Sequence, residues 1–276
     1  MNKLSLEDRA KVLTLLVEGN SLRATARIAD VSYNTVCKLF ADAGRVAGDY
    51  QDKELRDLSC KRLQLDEIWS FVYAKQKNVA SAKAAPDRSG DAWTWVAIDP
   101  ETKAVPVFHV GKREASDADA FMASVAARMT NRIQITSDGL SSYPAAIESA
   151  FGNEVNYEQI VKSYASTEVH ESGRRYSPPR LESIRREASV CKPYPDLIST
   201  SIVERQNLTM RMHMRRLTRL TNAFSKKLEN FQAAVALHFG YYNFVKVHSS
   251  IRCTPAMAVG ASSRLWSVAD LVALTK

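Results

Sequence analysis

The sequence contains few cysteines and has no apolar run long enough to span a bilayer. Only four of its 276 residues are cysteine, and none belongs to a C-x-x-C pair: Cys37, Cys60, Cys191 and Cys253. This spacing argues against a disulfide scaffold and against a cysteine-based zinc site. The longest apolar stretch, residues 231–245, is interrupted by three polar side chains and is too short for a membrane span. The first residues lack the apolar segment of a secretory signal. We therefore expect a reduced, cytoplasmic protein with no membrane contact.

The charge of the chain is unevenly distributed. The chain has 38 Lys and Arg against 30 Asp and Glu, which gives a formal net charge of +8. Because 45% of its residues are hydrophobic, the chain is not disordered throughout. The last 76 residues carry eleven basic and three acidic side chains, and residues 205–227 carry seven Lys or Arg and no acid. A solvated surface helix usually mixes both signs. The charge of residues 205–227 therefore favours a phosphate-binding surface. The alternative is an ordinary solvent-exposed charged helix face.

Three short helices are predicted at the N-terminus. They cover residues 4–18, 22–29 and 33–44, with Ser5, Ser21 and Ser32 as N-caps and Gly44 as the end of the third. This pattern is typical of a helix-turn-helix domain over residues 1–45. Its third helix would enter the DNA major groove through four side chains: Tyr33, Asn34, Thr35 and Lys38. Because residues 1–60 carry equal numbers of acidic and basic side chains, a helical hairpin that binds nothing is the alternative.

The remaining sequence predicts an α/β domain over residues 61–260, joined by a polar linker at 46–60. Three strand-like runs come first, and helices then alternate with strands, which favours a mixed sheet with helices on both faces. The strand runs are 62–74, 92–99, 104–111, 131–138 and, more weakly, 155–162; the intervening helices are 117–129 and 145–151.

Three further segments complete the prediction. Residues 165–198 are polar and contain four prolines, so they are interpreted as an inserted loop with a short helix at 180–188. A long helical region is predicted from Thr200 to about residue 247, and residues 261–276 form a C-terminal tail.

Three acidic residues stand out as candidate metal ligands. Asp66 lies within an apolar strand, and Asp138 ends another strand before Gly139. A buried carboxylate is costly unless it is paired or binds a metal, although an acid next to glycine is often only a turn former. Glu204 is the only acid between Asp196 and Glu229. With no cysteine or histidine cluster, these oxygen ligands suit Mg²⁺ or Mn²⁺.

Helical geometry predicts two faces for the segment that follows Glu204. At about 100° per residue, Glu204, Arg211 and Arg215 point within about 20° of one direction. An apolar stripe, interpreted as core packing, points elsewhere: Val203, Met210, Met214 and Leu217. The face with Glu204, Arg211 and Arg215 would then be exposed beside the sheet. The alternative is that these three are ordinary charged residues on a helix surface, with no binding role.

Four motifs together resemble the DDE transposases of the insertion-sequence-one family. They are LDEIWSF (65–71), WTWVAID (93–99), TSDGLSSY (136–143) and the long segment IVERQNLTMRMHMRRLTRLTNAFSKK (202–227). The resemblance implies a ribonuclease H-like core in which Asp66, Asp138 and Glu204 bind two Mg²⁺ ions. It also implies that Arg211 contacts DNA near the cleavage site, and that four further residues contact DNA or support the structure: Arg205, Asn207, Arg215 and Arg216. Arg219, in the same basic segment, is a further candidate DNA contact.

The function implied by this resemblance is DNA transposition in the bacterial cytoplasm, at the nucleoid. Such an enzyme nicks the ends of a mobile element and joins the 3′ hydroxyls to target DNA. Its partners would be double-stranded DNA, both the terminal inverted repeats and the target, and it would act as a homo-oligomer because two ends are joined in concert. The alternatives are a non-catalytic DNA-binding regulator derived from a transposase and a metal-dependent DNA nuclease.

Overall fold

The computed structural model describes residues 4–164, 181–218 and 222–275. It begins with helices α1 (Leu6–Val17), α2 (Leu22–Ala29) and α3 (Tyr33–Glu54). The hydroxyl groups of Ser5, Ser21 and Ser32 each accept a hydrogen bond from the backbone N–H three residues later, at 3.0–3.1 Å. The three predicted N-caps are therefore confirmed, since each satisfies a backbone donor that the first helical turn leaves unpaired.

Six strands form one mixed sheet. They are β1 (Arg62–Val72), β2 (Gly90–Ile98), β3 (Val107–Gly111), β4 (Ile133–Asp138), β5 (Val155–Tyr164) and β6 (Leu181–Val190). The strand order is β3-β2-β1-β4-β5-β6, in which β1 pairs parallel with β4 and β4 pairs parallel with β5. The pairs β1–β2, β2–β3 and β5–β6 are antiparallel. The α/β class is confirmed.

Helices cover both faces of this sheet. The remaining helices are α4 (Ala115–Ala126), α5 (Tyr143–Phe151), α6 (Ser201–His213), α7 (Leu228–Phe244), α8 (Pro255–Ala258) and α9 (Val268–Ala273). Because side chains alternate along a strand, Ile68 and Val96 pack in one core with α1, α3, α6 and α7, whereas Leu65 and Trp95 pack in the other with α4 and α5.

The third helix does not end at Gly44, so that prediction was wrong. Helix α3 continues to Glu54 through most of the segment predicted as a linker, and it packs along α7. A Cβ atom on Gly44 would lie 2.2 Å from the carbonyl oxygen of Ala233. The glycine therefore serves a close approach of two helices rather than a helix end, and one continuous helix joins the N-terminal helices to the sheet.

The short helix predicted at 180–188 was also wrong, because residues 181–190 form the edge strand β6. Pairing with β5, from Tyr164↔Leu181 to Tyr157↔Val190, overrides the helical propensity of its Glu and Arg residues. The rest of the predicted insertion comprises residues 165–180, which lie outside the described residues, and a short 3₁₀ turn at Pro195–Leu197.

The helical region predicted from Thr200 to about residue 247 contains two α-helices in its described residues, and the single helix assumed from Glu204 to Leu217 was wrong. Helix α6 ends at His213, Met214 has an extended backbone, a 3₁₀ turn follows at Arg215–Leu217, and α7 begins at Leu228. Met210, Met214 and Leu217 are all buried, so the apolar stripe does pack in the core. The break lets Leu217 reach that core from a different direction.

The segment predicted as a C-terminal tail contains a short helix within its described residues, 261–275. They include α9, whose Leu271 and Val272 are buried against the helices of the N-terminal region. Within the described residues, no helix combines the length and the apolar character that crossing a membrane requires.

Candidate functional site

Asp66 and Asp138 lie side by side on two neighbouring strands. The parallel register pairs Leu65 of β1 with Ser137 of β4, so the next residue on each strand is an aspartate. Neighbouring parallel strands direct side chains of matched register to the same face. Carboxylate oxygens of Asp66, Asp138 and Glu67 lie within 4.8 Å of one another. The two aspartates predicted as metal ligands are therefore brought together by strand pairing.

Helix α6 is fixed over β1 by two buried polar side chains. The Gln64 Oε1 atom accepts hydrogen bonds from the backbone N–H groups of Ile202 and Val203, at 2.9 and 3.0 Å. One helical turn further on, Asn207 Nδ2 donates to Asp66 Oδ2 at 2.9 Å. Glu204 lies between these two anchors, in the first turn of α6, which brings its charge close to both aspartates.

The electrostatics of the cluster reflect carboxylates that are buried close together. Burial and the Asp138 charge, with a further contribution from Glu204, raise the pKa of Asp66 to about 6. Burial and Asp138 likewise raise the pKa of Glu67 to about 7. Burial also raises the pKa of Asp138, although a backbone N–H and the nearby Arg113 and Lys162 oppose the shift. Like charges and desolvation both disfavour the ionised forms, and a cation would relieve this cost.

Two cations partly balance the acidic cluster. Lys162 Nζ forms an ion pair with Glu204 Oε1, and the Thr200 hydroxyl donates to the same oxygen at 2.7 Å. On the opposite side, Arg113 Nε donates to Glu67 Oε2 at 3.1 Å, and its Nη2 lies 3.7 Å from Asp138 Oδ2. Glu204 is therefore held by Lys162 and Thr200 rather than by direct contact with the aspartates.

The donor atoms fit a hard divalent cation. Every candidate ligand is an oxygen, and one buried oxygen beside the cluster, Asn207 Oδ1, has no hydrogen-bond partner among the described residues. Mg²⁺ and Mn²⁺ prefer such oxygen ligands. The residues present therefore suit the ions that the sequence predicted.

The basic residues of 205–227 do not all lie on one face. Arg205 is exposed and Arg211 is half-buried, both on α6. Because α6 ends at His213, Arg215 leaves the stripe predicted from helical geometry, and its Nε donates instead to the Gly19 carbonyl at 3.2 Å. Arg216 stacks over the Phe40 ring, 4.5 Å from its centroid, and donates to Ser225 Oγ at 2.8 Å. Arg219 lies outside the described residues.

The four predicted groove contacts lie at the start of α3. Tyr33, Asn34 and Lys38 are exposed, whereas Thr35 is half-buried and its hydroxyl lies 2.8 Å from the Ser32 hydroxyl. The Arg23 guanidinium of α2 lies over the Tyr33 ring, 5.2 Å from its centroid. The exposed start of α3 thus carries polar and aromatic side chains with a cation beside them.

Sequence reasoning did not identify Glu67, Lys162, Arg113 or Gln64. Glu67 follows Asp66 directly, and strand alternation places its Cβ on the other face; its presence in an apolar strand was the only signal. Lys162 and Arg113 reach the cluster from β5 and from the loop before α4, which only the strand order reveals. Gln64 could have been noticed as a polar residue in the run Leu63 to Leu65.

Comparison with known proteins adds no assignment, because no family model matches the sequence and no curated protein matches it significantly.

Proposed function

We propose that this chain is a DNA transposase with an N-terminal helix-turn-helix and a ribonuclease H-like catalytic core. The observation that carries the proposal is the placement of Asp66 beside Asp138 at matched register, with Glu204 presented from α6. The sheet supports it, since three antiparallel strands are followed by two strands parallel to the first, with β1 and β4 central. The enzyme would nick each end of a mobile element and join the resulting 3′ hydroxyls to target DNA.

Asp66, Asp138 and Glu204 would hold two Mg²⁺ or Mn²⁺ ions. When bound, such ions activate an attacking oxygen and stabilise a leaving oxygen at a phosphodiester. The chain's own residues prepare the site: Asn207 orients the Asp66 carboxylate, and Gln64 fixes the first turn of α6. Lys162 balances the Glu204 charge and would have to yield that carboxylate to a metal.

The surface of the molecule supports double-stranded DNA as the partner. Arg205 and Arg211 follow Glu204 on α6, so phosphates bound by them would lie next to the acidic cluster. The exposed start of α3 would contact the terminal inverted repeats through Tyr33, Asn34 and Lys38. We also propose a homo-oligomer, because two element ends must be joined to the target together.

A strand-transfer assay tests the proposal. Purified protein is incubated with Mg²⁺, duplexes carrying the sequences that flank its coding region, and supercoiled target DNA. We expect nicked ends and joined products for wild type, and neither product for Asp66→Asn, Asp138→Asn or Glu204→Gln. Glu148→Gln, an exposed acid on α5, is the matched control and should behave as wild type.

The products separate the proposed function from its alternatives. Cleavage without joining, lost in Asp66→Asn, would identify a nuclease. DNA binding without cleavage in wild type would identify a regulator. Joined products that persist in all three site variants would contradict the assignment of the acidic residues.

A further inference from the structure

A cleft separates the N-terminal helices from the segment that follows α6. Its volume is about 580 Å³. One wall is formed by the turn between α1 and α2 with Arg23, Tyr33 and Phe40, and the other by residues 213–216, residues 222–224 and Lys226, with His238 of α7 contributing to the lining. This volume is in the range of sites that hold one small molecule, so it suits one nucleotide rather than a base-paired segment.

The cleft is lined by cations without acidic counterparts. None of the described residues that line it is Asp or Glu, whereas four carry a positive charge: Arg23, Arg215, Arg216 and Lys226. None of these four cations pairs with a carboxylate in the described part of the chain, and Arg216 is the least exposed of them. Its guanidinium contacts the Phe40 ring and the Ser225 hydroxyl, and burial lowers the pKa of Arg216 to about 10. A desolvated cation of this kind is stabilised when an anion binds beside it.

Aromatic rings lie next to these cations. Arg23 is over Tyr33, and Lys226 Nζ is 4.4 Å from the Phe224 ring centroid. Rings interleaved with basic side chains bind single-stranded nucleic acid, since the rings stack on bases while the cations contact phosphates. His238 adds a hydrogen-bonding group, because its buried Nε2 has no hydrogen-bond partner among the residues that the structure describes. Burial lowers the pKa of His238 to about 3 and keeps the ring neutral.

We propose that this cleft binds one unpaired nucleotide of a DNA strand, with its phosphate beside Arg216 and its base against Tyr33 or Phe224. This inference rests on the proposed function only in taking DNA as the partner. It adds a single-strand site at the junction between α3 and the segment after α6. A strand leaving a duplex bound at the start of α3 would thereby be directed towards α6 and the acidic cluster.

Equilibrium binding without divalent metal tests the proposal. The probes are a labelled blunt duplex and the same duplex with a short single-stranded overhang, measured by fluorescence anisotropy. Arg23→Gln and Lys226→Gln should each weaken binding of the overhang duplex by about fivefold or more, and that of the blunt duplex by less than about twofold. Lys61→Gln is the control, because it removes an equal charge at an exposed position outside the cleft.

A second variant tests the role of the base. Wild type should bind an overhang with an abasic site at least about fivefold more weakly than the intact overhang, and Phe224→Leu should no longer distinguish the two. Circular dichroism spectra identical to wild type would show that each variant is folded.

In the variant and competition measurements, three outcomes would overturn the inference. They are equal losses for blunt and overhang duplexes, losses no larger than that of Lys61→Gln, and competition by a free mononucleotide at the concentration at which the strand binds. If wild type binds the blunt and the overhang duplex equally well, only the single-strand site in the cleft is rejected. If wild type binds neither duplex, the proposed function is rejected as well.

Discussion

The Asp66 carboxylate has an energetic cost because it is largely buried and faces Asp138 and Glu204. Two hydrogen bonds, from the Glu67 backbone N–H and from Asn207 Nδ2, offset only part of that cost, and its pKa remains near 6. The folded protein therefore binds a proton at Asp66 more readily than the unfolded chain does, so its stability falls as pH rises from about 4 to about 7.

Replacing Asp66 by Asn should remove this pH-dependent cost while one amide oxygen still accepts from the Glu67 backbone N–H; the amide NH2 would donate to Asn207 Oδ1, which has no partner among the described residues, in place of the bond that Asp66 accepts. In a metal-free buffer at pH 8, we expect Asp66→Asn to be more stable than wild type, by up to about 3 kcal/mol, because a shift of about two pKa units corresponds to that free energy. The difference should shrink towards pH 4, where wild-type Asp66 is protonated in the folded state. Urea denaturation at the two pH values measures it. An Asp66→Asn protein that is less stable than wild type at pH 8 would contradict the electrostatic interpretation.

At the residue scale, the sequence predicted which acidic side chains lie together but not which cations neutralise their charge. Asp66 and Asp138 could be identified because a carboxylate in an apolar strand needs a partner. Glu204 stood out as a single acid in a basic segment. The ion pair of Glu204 with Lys162 depends on the neighbouring positions of β5 and α6, and no local pattern encodes that proximity.

Among the elements, helices α3 and α7 pack closely along each other. Gly44 lies against the Ala233 backbone, and a Cβ atom at Gly240 would lie 3.0 Å from the Ala47 side chain. Small residues on both helices allow their axes to approach closely. Within the described residues, Gln51 adds polar contacts, donating to the Ala236 carbonyl at 2.9 Å. This packing makes α3 a continuous support between the N-terminal helices and the sheet.

Gly44→Ala should destabilise the protein although alanine has the higher helix propensity. The added methyl would overlap the Ala233 carbonyl, and overpacking of this kind costs about 1–3 kcal/mol, more than the gain of about 0.5–1 kcal/mol expected in an unconstrained helix. Asp49→Ala, at an exposed position of the same helix, is the control and should change stability little. Thermal or urea denaturation measures both variants, and a stabilised Gly44→Ala protein would show that α3 and α7 are not packed this closely.

The errors in element prediction have identifiable physical causes. Gly44 was interpreted as a helix end because glycine often ends helices, but the contact with α7 decides its role. Residues 181–190 have helix-forming Glu and Arg side chains, yet pairing with β5 makes them a strand. The break after His213 is not marked by a glycine or a proline. It accompanies the contact of Arg216 with the Phe40 ring, which joins segments distant in the sequence. Boundaries set by tertiary contacts were therefore missed, whereas boundaries set by capping serines were predicted.

For the whole molecule, the excess positive charge of the sequence is concentrated in residues 205–227. Residues 205–227 carry seven basic side chains and no acid. Arg205 and Arg211 lie on α6, whereas Arg215, Arg216 and Lys226 line the cleft beside the N-terminal helices. Lys227 directly precedes α7, and Arg219 lies outside the described residues.

Arg205→Gln should lower the salt dependence of duplex DNA binding if this surface binds phosphates. The slope of log affinity against log salt should decrease by about 0.9 for each phosphate contact removed. Lys61→Gln, which removes an equal charge outside residues 205–227, should leave the slope unchanged. Anisotropy titrations over a range of salt concentrations give both slopes. Equal slopes for Arg205→Gln and wild type would place the DNA elsewhere.

The most direct test of the acidic cluster as a metal centre is a calorimetric titration of the purified protein with Mn²⁺. We expect two ions to bind each wild-type chain, weak or absent binding in Asp66→Asn and Glu204→Gln, and wild-type binding in Glu148→Gln. No binding by wild type, or undiminished binding by Glu204→Gln, would contradict the assignment of Asp66, Asp138 and Glu204 as one metal site.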